Sequence, residues 1–312
     1  MRSVVVGGSG FLGGALVSDL CSRGDEVVVL DIKPPPSASA VRPWGIREVP
    51  HVQGDIRDLN VLLRTFRGAD EVYHMAGKLG TSELESERHA AVEVNVLGTL
   101  NVFDAAVQAG VGAVFLACKP NDWDNAYSIT KQAAERFALT YARDHADLRV
   151  RCLRYYNAYG PHQALGPVRK MIPTFAACAL RGAPIPVFGD GRQTVDLILA
   201  EDLARITIDY LRDPEGDATA LDCGSGHAAS VSDIAHLMNE LAGNAAGVSH
   251  LPMRLGEPLK TTLVADMGPL EGQLGAVHQA DLAAGLGLTL DWYAAQHPHH
   301  IDLREVETYT AA

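Results

Sequence analysis

The chain has 312 residues, 47% hydrophobic and 21% charged, which suits two modest folded domains and excludes a disordered chain or a disulfide-stapled miniprotein. Its 26 Lys and Arg stand against 38 Asp and Glu, a formal net charge of -12, so its field repels nucleic-acid phosphates and anionic lipid, and neither is an expected partner. The five cysteines form no C-x-x-C pair, no stretch approaches the roughly 18 uninterrupted apolar residues of a membrane span, and Met1 leads straight into a strand, so reduced thiols and a cytoplasmic location are expected.

Residues 4–6, 27–30, 72–74, 113–118 and 150–153 are short apolar runs of the kind that fully buried parallel strands show. Helical patterns lie between them. Val92, Val96, Leu100, Phe103 and Val107 recur on one face over 90–109, and Ala134, Phe137, Ala138 and Tyr141 do so after Tyr127. This alternation implies right-handed crossovers and an α/β fold, a Rossmann-type doubly wound parallel sheet. After Arg154, prolines and glycines from Pro161 to Gly191 break the alternation, with helices again over 203–211 and 231–241; residues 34–40 read as a surface loop. The expected division is a cofactor domain of residues 1–153 joined by about 192–213, and a smaller mixed α/β substrate-binding domain of 154–191 and 214–312.

The first strand runs into Gly7-Gly8-Ser9-Gly10-Phe11-Leu12-Gly13 and then a helical pattern. A tight glycine turn before a helix lets backbone N–H groups approach a dinucleotide pyrophosphate without side chains in the way. The glycines satisfy two frames, Gly8/Gly10/Gly13 and Gly7/Gly10/Gly13. Asp31 ends the second strand, where a carboxylate can accept both adenosine ribose hydroxyls and would repel a 2′-phosphate, so NAD is expected over NADP. Ile32 and Lys33 complete that rim.

Tyr127 and Lys131 stand four apart at a helix start, hence on one face. A phenol titrating near about 10 is a poor base at neutral pH, and a neighbouring Lys⁺ favours the phenolate, so the pair can take a proton from a hydroxyl whose carbon loses hydride. Asp124, just before this helix, is the expected N-cap.

With these motifs the chain resembles the extended short-chain dehydrogenase/reductase family, in its NAD-dependent nucleotide-sugar epimerase and dehydratase branch. The resemblance also covers Gly54-Asp55-Ile56, His74-Met75-Ala76-Gly77, Asn95 to Thr99, Arg154 to Pro161, Pro186 to Gly191, and Arg254-Leu255-Gly256-Glu257. It implies Asp55 and Ile56 at the adenine, Met75, Ala76, Gly77, Asn95, Tyr127, Lys131, Tyr155 and Asn157 at the cofactor, and Lys78, Asn157, Val187, Phe188, Arg192, Arg254 and Glu257 at the substrate. The implied reaction is epimerisation of a nucleotide-diphosphate sugar, a UDP-sugar favoured, through a transient keto-sugar, by a homodimer joined through the helices near 90–109 and 127–144. Dehydration, decarboxylation, ketoreduction or non-catalytic binding are the alternatives.

Two departures stand out. The family follows its fifth strand with a Ser/Thr-rich turn and a longer loop; here Cys118-Lys119-Pro120 runs almost directly to Tyr127, so Lys119 or Cys118 takes the hydroxyl's place, Lys119 as a donor to the developing oxyanion or Cys118 as an acid/base group. That turn also lacks the acidic residues of dehydratases and decarboxylases. Val195 stands where the family has an arginine for the diphosphate. No ligand-spaced residues accompany His297, His299 and His300, and no metal is expected.

Overall fold

A computed structural model describes residues 1–34, 49–80, 83–120, 123–166, 168–253 and 262–296. The surface loop expected at 34–40 lies almost wholly outside them, as do Asp122, Arg254, Glu257 and the three tail histidines. The chain forms two compact units: Met1–Tyr155, Glu201–Cys223 and Met267–Val277 in the first, and Tyr156–Ala200, Gly224–Asp266 and His278–Ala312 in the second.

The first unit runs β1 (Arg2–Val6), α1 (Phe11–Ser22), β2 (Glu26–Asp31), β3 (His51–Gln53), α2 (Leu59–Phe66), β4 (Glu71–His74), α3 (Arg88–Val92), α4 (Thr99–Ala109), β5 (Ala113–Cys118), α5 (Ala126–Asp144) and β6 (Arg149–Tyr155). The strand Ala220–Cys223 adds the seventh member of a sheet ordered β3, β2, β1, β4, β5, β6, Ala220–Cys223, and every pairing in it is parallel. The expected doubly wound Rossmann-type sheet is therefore present. Its strand order reverses between β1 and β4, the place where such sheets open a ligand crevice. Valines and leucines fill both faces, with Val4, Val6, Val72, Val114 and Leu116 fully buried under α2, α4 and α5.

Residues 214–223 were expected in the second domain, but Leu221 and Asp222 pair with Leu153 and Arg154 of β6. Two arginines explain the return. Arg212, at the end of helix Ala200–Arg212, donates to buried Glu71 at 2.9 Å and to Asp25 at 2.6 Å. Buried Arg151 donates to the carbonyls of Glu215 at 2.6 Å and Gly216 at 3.0 Å, satisfying the turn before the seventh strand.

The stretch expected as one helix over 90–109 is helical from Arg88 to Ala109 but passes through a π-helical segment, Glu93–Gly98. Its 22 residues, with a window of mean hydropathy 1.3, are long and apolar enough to cross a membrane. Here Ala91, Asn95, Thr99, Val102, Phe103 and Ala106 are buried, and the helix packs on α2 and α5.

In the second unit, Asn157–Tyr159 pairs with Leu197–Leu199, Ile185–Phe188 with Val248–Leu251, and Thr194–Val195 with Ala229–Ser230. The helices Met171–Leu180, Val231–Ala242 and Leu282–Ala295 close over a core of Ile172, Phe175, Ile185, Val187, Ile234, Met238 and Leu286. Asp196 is buried and accepts the amides of Ser225 at 2.5 Å, Gly226 at 2.9 Å and Ala265 at 3.0 Å, a charge held by backbone donors.

Candidate active site

The turn after β1 is built for close approach. Gly7 has φ +86° and its amide donates to Leu30 O at 2.7 Å, while a Cβ there would stand 2.7 Å from Ala76 N, at the end of the neighbouring β4. A Cβ on Gly13 would meet Gly7 O at 2.2 Å, so only hydrogen fits where α1 crosses the turn. A Cβ on Gly8 would stand 2.9 Å from Val29 Cγ2, so Gly8 as well as Gly7 and Gly13 is crowded, and both glycine frames run through the turn. Gly10 caps α1 with no side-chain bond, so the glycine turn leads into the first turn of the helix with no capping side chain at that position. This cradle fits a dinucleotide pyrophosphate.

Asp31 is 8% exposed at the end of β2, in place for a ribose. Its Oδ2 accepts the Ser9 amide at 3.0 Å and its Oδ1 the Lys33 amide at 3.0 Å, so it ties the glycine turn to the strand, and each oxygen keeps a further lone pair for a hydroxyl. The Ser9 hydroxyl shares a hydrogen bond with His51 Nε2 at 3.1 Å. Nothing in the sequence marked His51, because β3 is too short to show a strand pattern. Ile32 and Lys33 are exposed. Asp55 is gripped by Arg57, whose hydrogen bonds hold its carboxyl below the usual carboxylate range, and buried Ile56 packs under the Cα of Gly98.

Behind β4, Met75 and Ala76 abut the glycine turn and Gly77 is exposed. Buried Asn95 accepts the Lys78 amide at 2.7 Å and donates to Lys78 O and Thr130 Oγ1, each at 3.1 Å. Its carboxamide is thus spent inside the protein, tying the segment after β4 to α5. The Lys78 side chain pairs with Glu87.

Helix α5 begins after Asn125, whose side chain accepts the Ser128 amide at 2.9 Å; the cap is therefore Asn125 and not Asp124. Tyr127 lies in the first turn, and Lys131, one turn on, donates to Ala117 O of β5 at 2.5 Å. Burial lowers the Lys131 pKa and, with the neighbouring Cys118 thiol, pushes Tyr127 up to about 12. The lowered phenol expected beside Lys131 is not found, because desolvation dominates.

The two candidates for the missing hydroxyl separate. Cys118 is buried, its Sγ donates to Leu116 O at 3.6 Å, and burial and the Cys152 thiol raise its pKa well above normal, which disfavours the thiolate. Lys119 reaches α5: its Nζ donates to Ser128 Oγ at 3.2 Å and lies 5.5 Å from the Tyr127 ring centroid.

The Tyr155 hydroxyl meets Thr207 Oγ1 at 2.5 Å, and its ring stacks on Phe115 at 5.8 Å. In the second unit, Asn157 is exposed, with its side-chain amide donating to Asp196 O at 3.2 Å. Val187 is 0% exposed in its strand, and its side chain packs in the core of that unit. Phe188 is half-buried at that strand's end, and Arg192 is exposed, its Nε 4.0 Å from Asp190.

Residues 3–224 match the model of the NAD dependent epimerase/dehydratase family. The UDP-glucose 4-epimerase of Rhizobium leguminosarum bv. trifolii is 30% identical over 334 residues, covering 95% of this chain and 98% of that one. The UDP-N-acetyl-alpha-D-glucosaminuronate decarboxylase of Bacillus cytotoxicus is 27% identical over 273 residues, covering 80% and 83%. The structure of Thermus thermophilus UDP-glucose 4-epimerase in complex with NAD superposes with a TM-score of 0.82 at 26% identity, over 94% of this chain and 99% of that chain.

Proposed function

The chain belongs to the NAD-dependent epimerase/dehydratase family, and from that premise we propose that it epimerises the sugar of a nucleotide diphosphate, a UDP-sugar by preference, as a homodimer. The observation that carries the reading is one sheet bearing both halves of the chemistry. The glycine cradle and Asp31 stand at the ends of β1 and β2, and β5 leads into the helix that carries Tyr127 and Lys131. Hydride acceptance and return at a sugar carbon is what NAD supplies when bound in that cradle.

The protein's share is positioning and proton transfer. The α1 amides hold the pyrophosphate and Asp31 the ribose. Tyr127 Oη takes the proton from the reacting sugar hydroxyl and gives it back after the ketone has turned. Lys131, anchored on Ala117 O, fixes α5, the helix that carries the phenol, against β5. Arg254, Glu257, Arg192, Phe188 and Asn157 remain the proposed contacts of the sugar nucleotide.

The absence of a carboxylate in Cys118-Lys119-Pro120 favours epimerisation over elimination or decarboxylation. Exposed Val92, Leu97, Ile129 and Phe137 on the two long helices support the dimer.

Tyr127→Phe tests the assignment. Turnover of a UDP-sugar should fall about 100- to 10,000-fold while bound NAD is retained. Unchanged turnover would remove Tyr127 from the mechanism.

A further inference from the structure

The short connection between β5 and α5 carries a cation for which the reaction above has no role. Lys119 leaves the strand half-buried and donates through Nζ to Ser128 Oγ at 3.2 Å. Ser128 is fully buried, and its amide is held by the Asn125 cap. The same ammonium lies 4.8 Å from the Trp123 ring centroid and 5.5 Å from that of Tyr127. Cations are drawn to aromatic faces at such distances, more strongly where water is excluded. Two rings and a buried hydroxyl thus fix a side chain that is otherwise flexible. Lys131, by contrast, aims its Nζ at Ala117 O.

We propose that Trp123 and Ser128 are positioning residues that hold the Lys119 ammonium beside Tyr127 as the cation stabilising its phenolate. This rests on Tyr127 being the base of the reaction proposed above. Burial works against that base, pushing the phenol up to about 12, so a nearby positive charge is what it needs to act at neutral pH. The other charged or titratable groups around it leave room for this role. Cys118, from β5, is a neutral thiol. Glu85, ahead of α3, accepts the Ala126 amide at 3.0 Å and pairs with Arg88, with Asp124 lining the same cavity. Lys131 follows on its own helix.

The test is a spectrophotometric titration of Tyr127 in NAD-loaded protein, taken as the difference from Tyr127→Phe, alongside the pH profile of kcat/KM. Lys119→Met should move both the tyrosinate midpoint and the acid limb alkaline by about one pH unit or more. Lys119→Arg should restore most of the shift, and Trp123→Leu should move part of the way. An unchanged midpoint in Lys119→Met overturns the proposal even if turnover falls, since a merely structural lysine would leave the titration alone. Should Lys119→Met fail to fold, an unchanged midpoint in Trp123→Leu overturns it equally. If the wild type turns over no nucleotide sugar yet the midpoint shifts as described, the reaction fails and the clamp stands.

Discussion

Buried His74 and Asn95 are each engaged with Thr99: His74 Nε2 shares a hydrogen bond with its hydroxyl at 3.0 Å, and Asn95 O accepts that hydroxyl at 2.8 Å. Burial, with the Lys131 charge adding, lowers the His74 pKa to about 3. The folded protein therefore keeps the ring neutral, while the unfolded chain takes up a proton below about 6.5. Stability from this group is complete above the unfolded value and is lost as pH falls towards the folded one. Between about pH 7 and about pH 5 the loss should reach about 2 kcal/mol. Urea unfolding at both pH values checks it, and His74→Gln should flatten the difference. The glycine turn and the Tyr-x-x-x-Lys spacing were legible in the sequence because each is a local demand: only hydrogen fits at Gly13, and a four-residue step shares a helix face. That Val187 is buried and that the Tyr155 hydroxyl meets Thr207 was not legible, because a short apolar strand does not announce which of its side chains face the core.

At the scale of elements, the glycine of Asn95-Val96-Leu97-Gly98 has a steric cause. A Cβ on Gly98 would stand 2.5 Å from Ile56 Cδ1, so the π-helical segment passes directly over the residue next to Asp55. Gly98→Ala should cost about 1–3 kcal/mol through overpacking. Adding Ile56→Val should recover part of that, giving a double mutant more stable than the sum of its singles in thermal or urea unfolding. Five strands and the long helices were readable from apolar runs and helical periodicity. The edge strands His51–Gln53 and Ala220–Cys223 were not, since each is short and half-polar, and the seventh is fixed by Arg151 and Arg212 reaching to distant backbone and carboxylates. The π segment is invisible to periodicity because it alters the register by a fraction of a turn.

For the molecule as a whole, the acidic chain gathers its anion-binding capacity into a glycine turn, one helix start and a few cations, with a net charge of -12 around them. The first unit exposes apolar side chains on its two long helices, Leu97 at 50% and Phe137 at 40%. Sedimentation should find twice the 33.3 kDa chain mass, and Leu97→Asp with Phe137→Asp should give a monomer that still binds NAD. A wild-type monomer would contradict the dimer. The epimerase reading itself is tested most directly by incubating NAD-loaded protein with a panel of UDP-hexoses and UDP-hexuronates in D₂O, read by proton NMR and mass spectrometry. The account predicts conversion of at least one sugar to an epimer of equal mass, without solvent deuterium on carbon and without net NADH. Loss of water or CO₂, deuterium on carbon, or no turnover of any member by the NAD-loaded protein would contradict it.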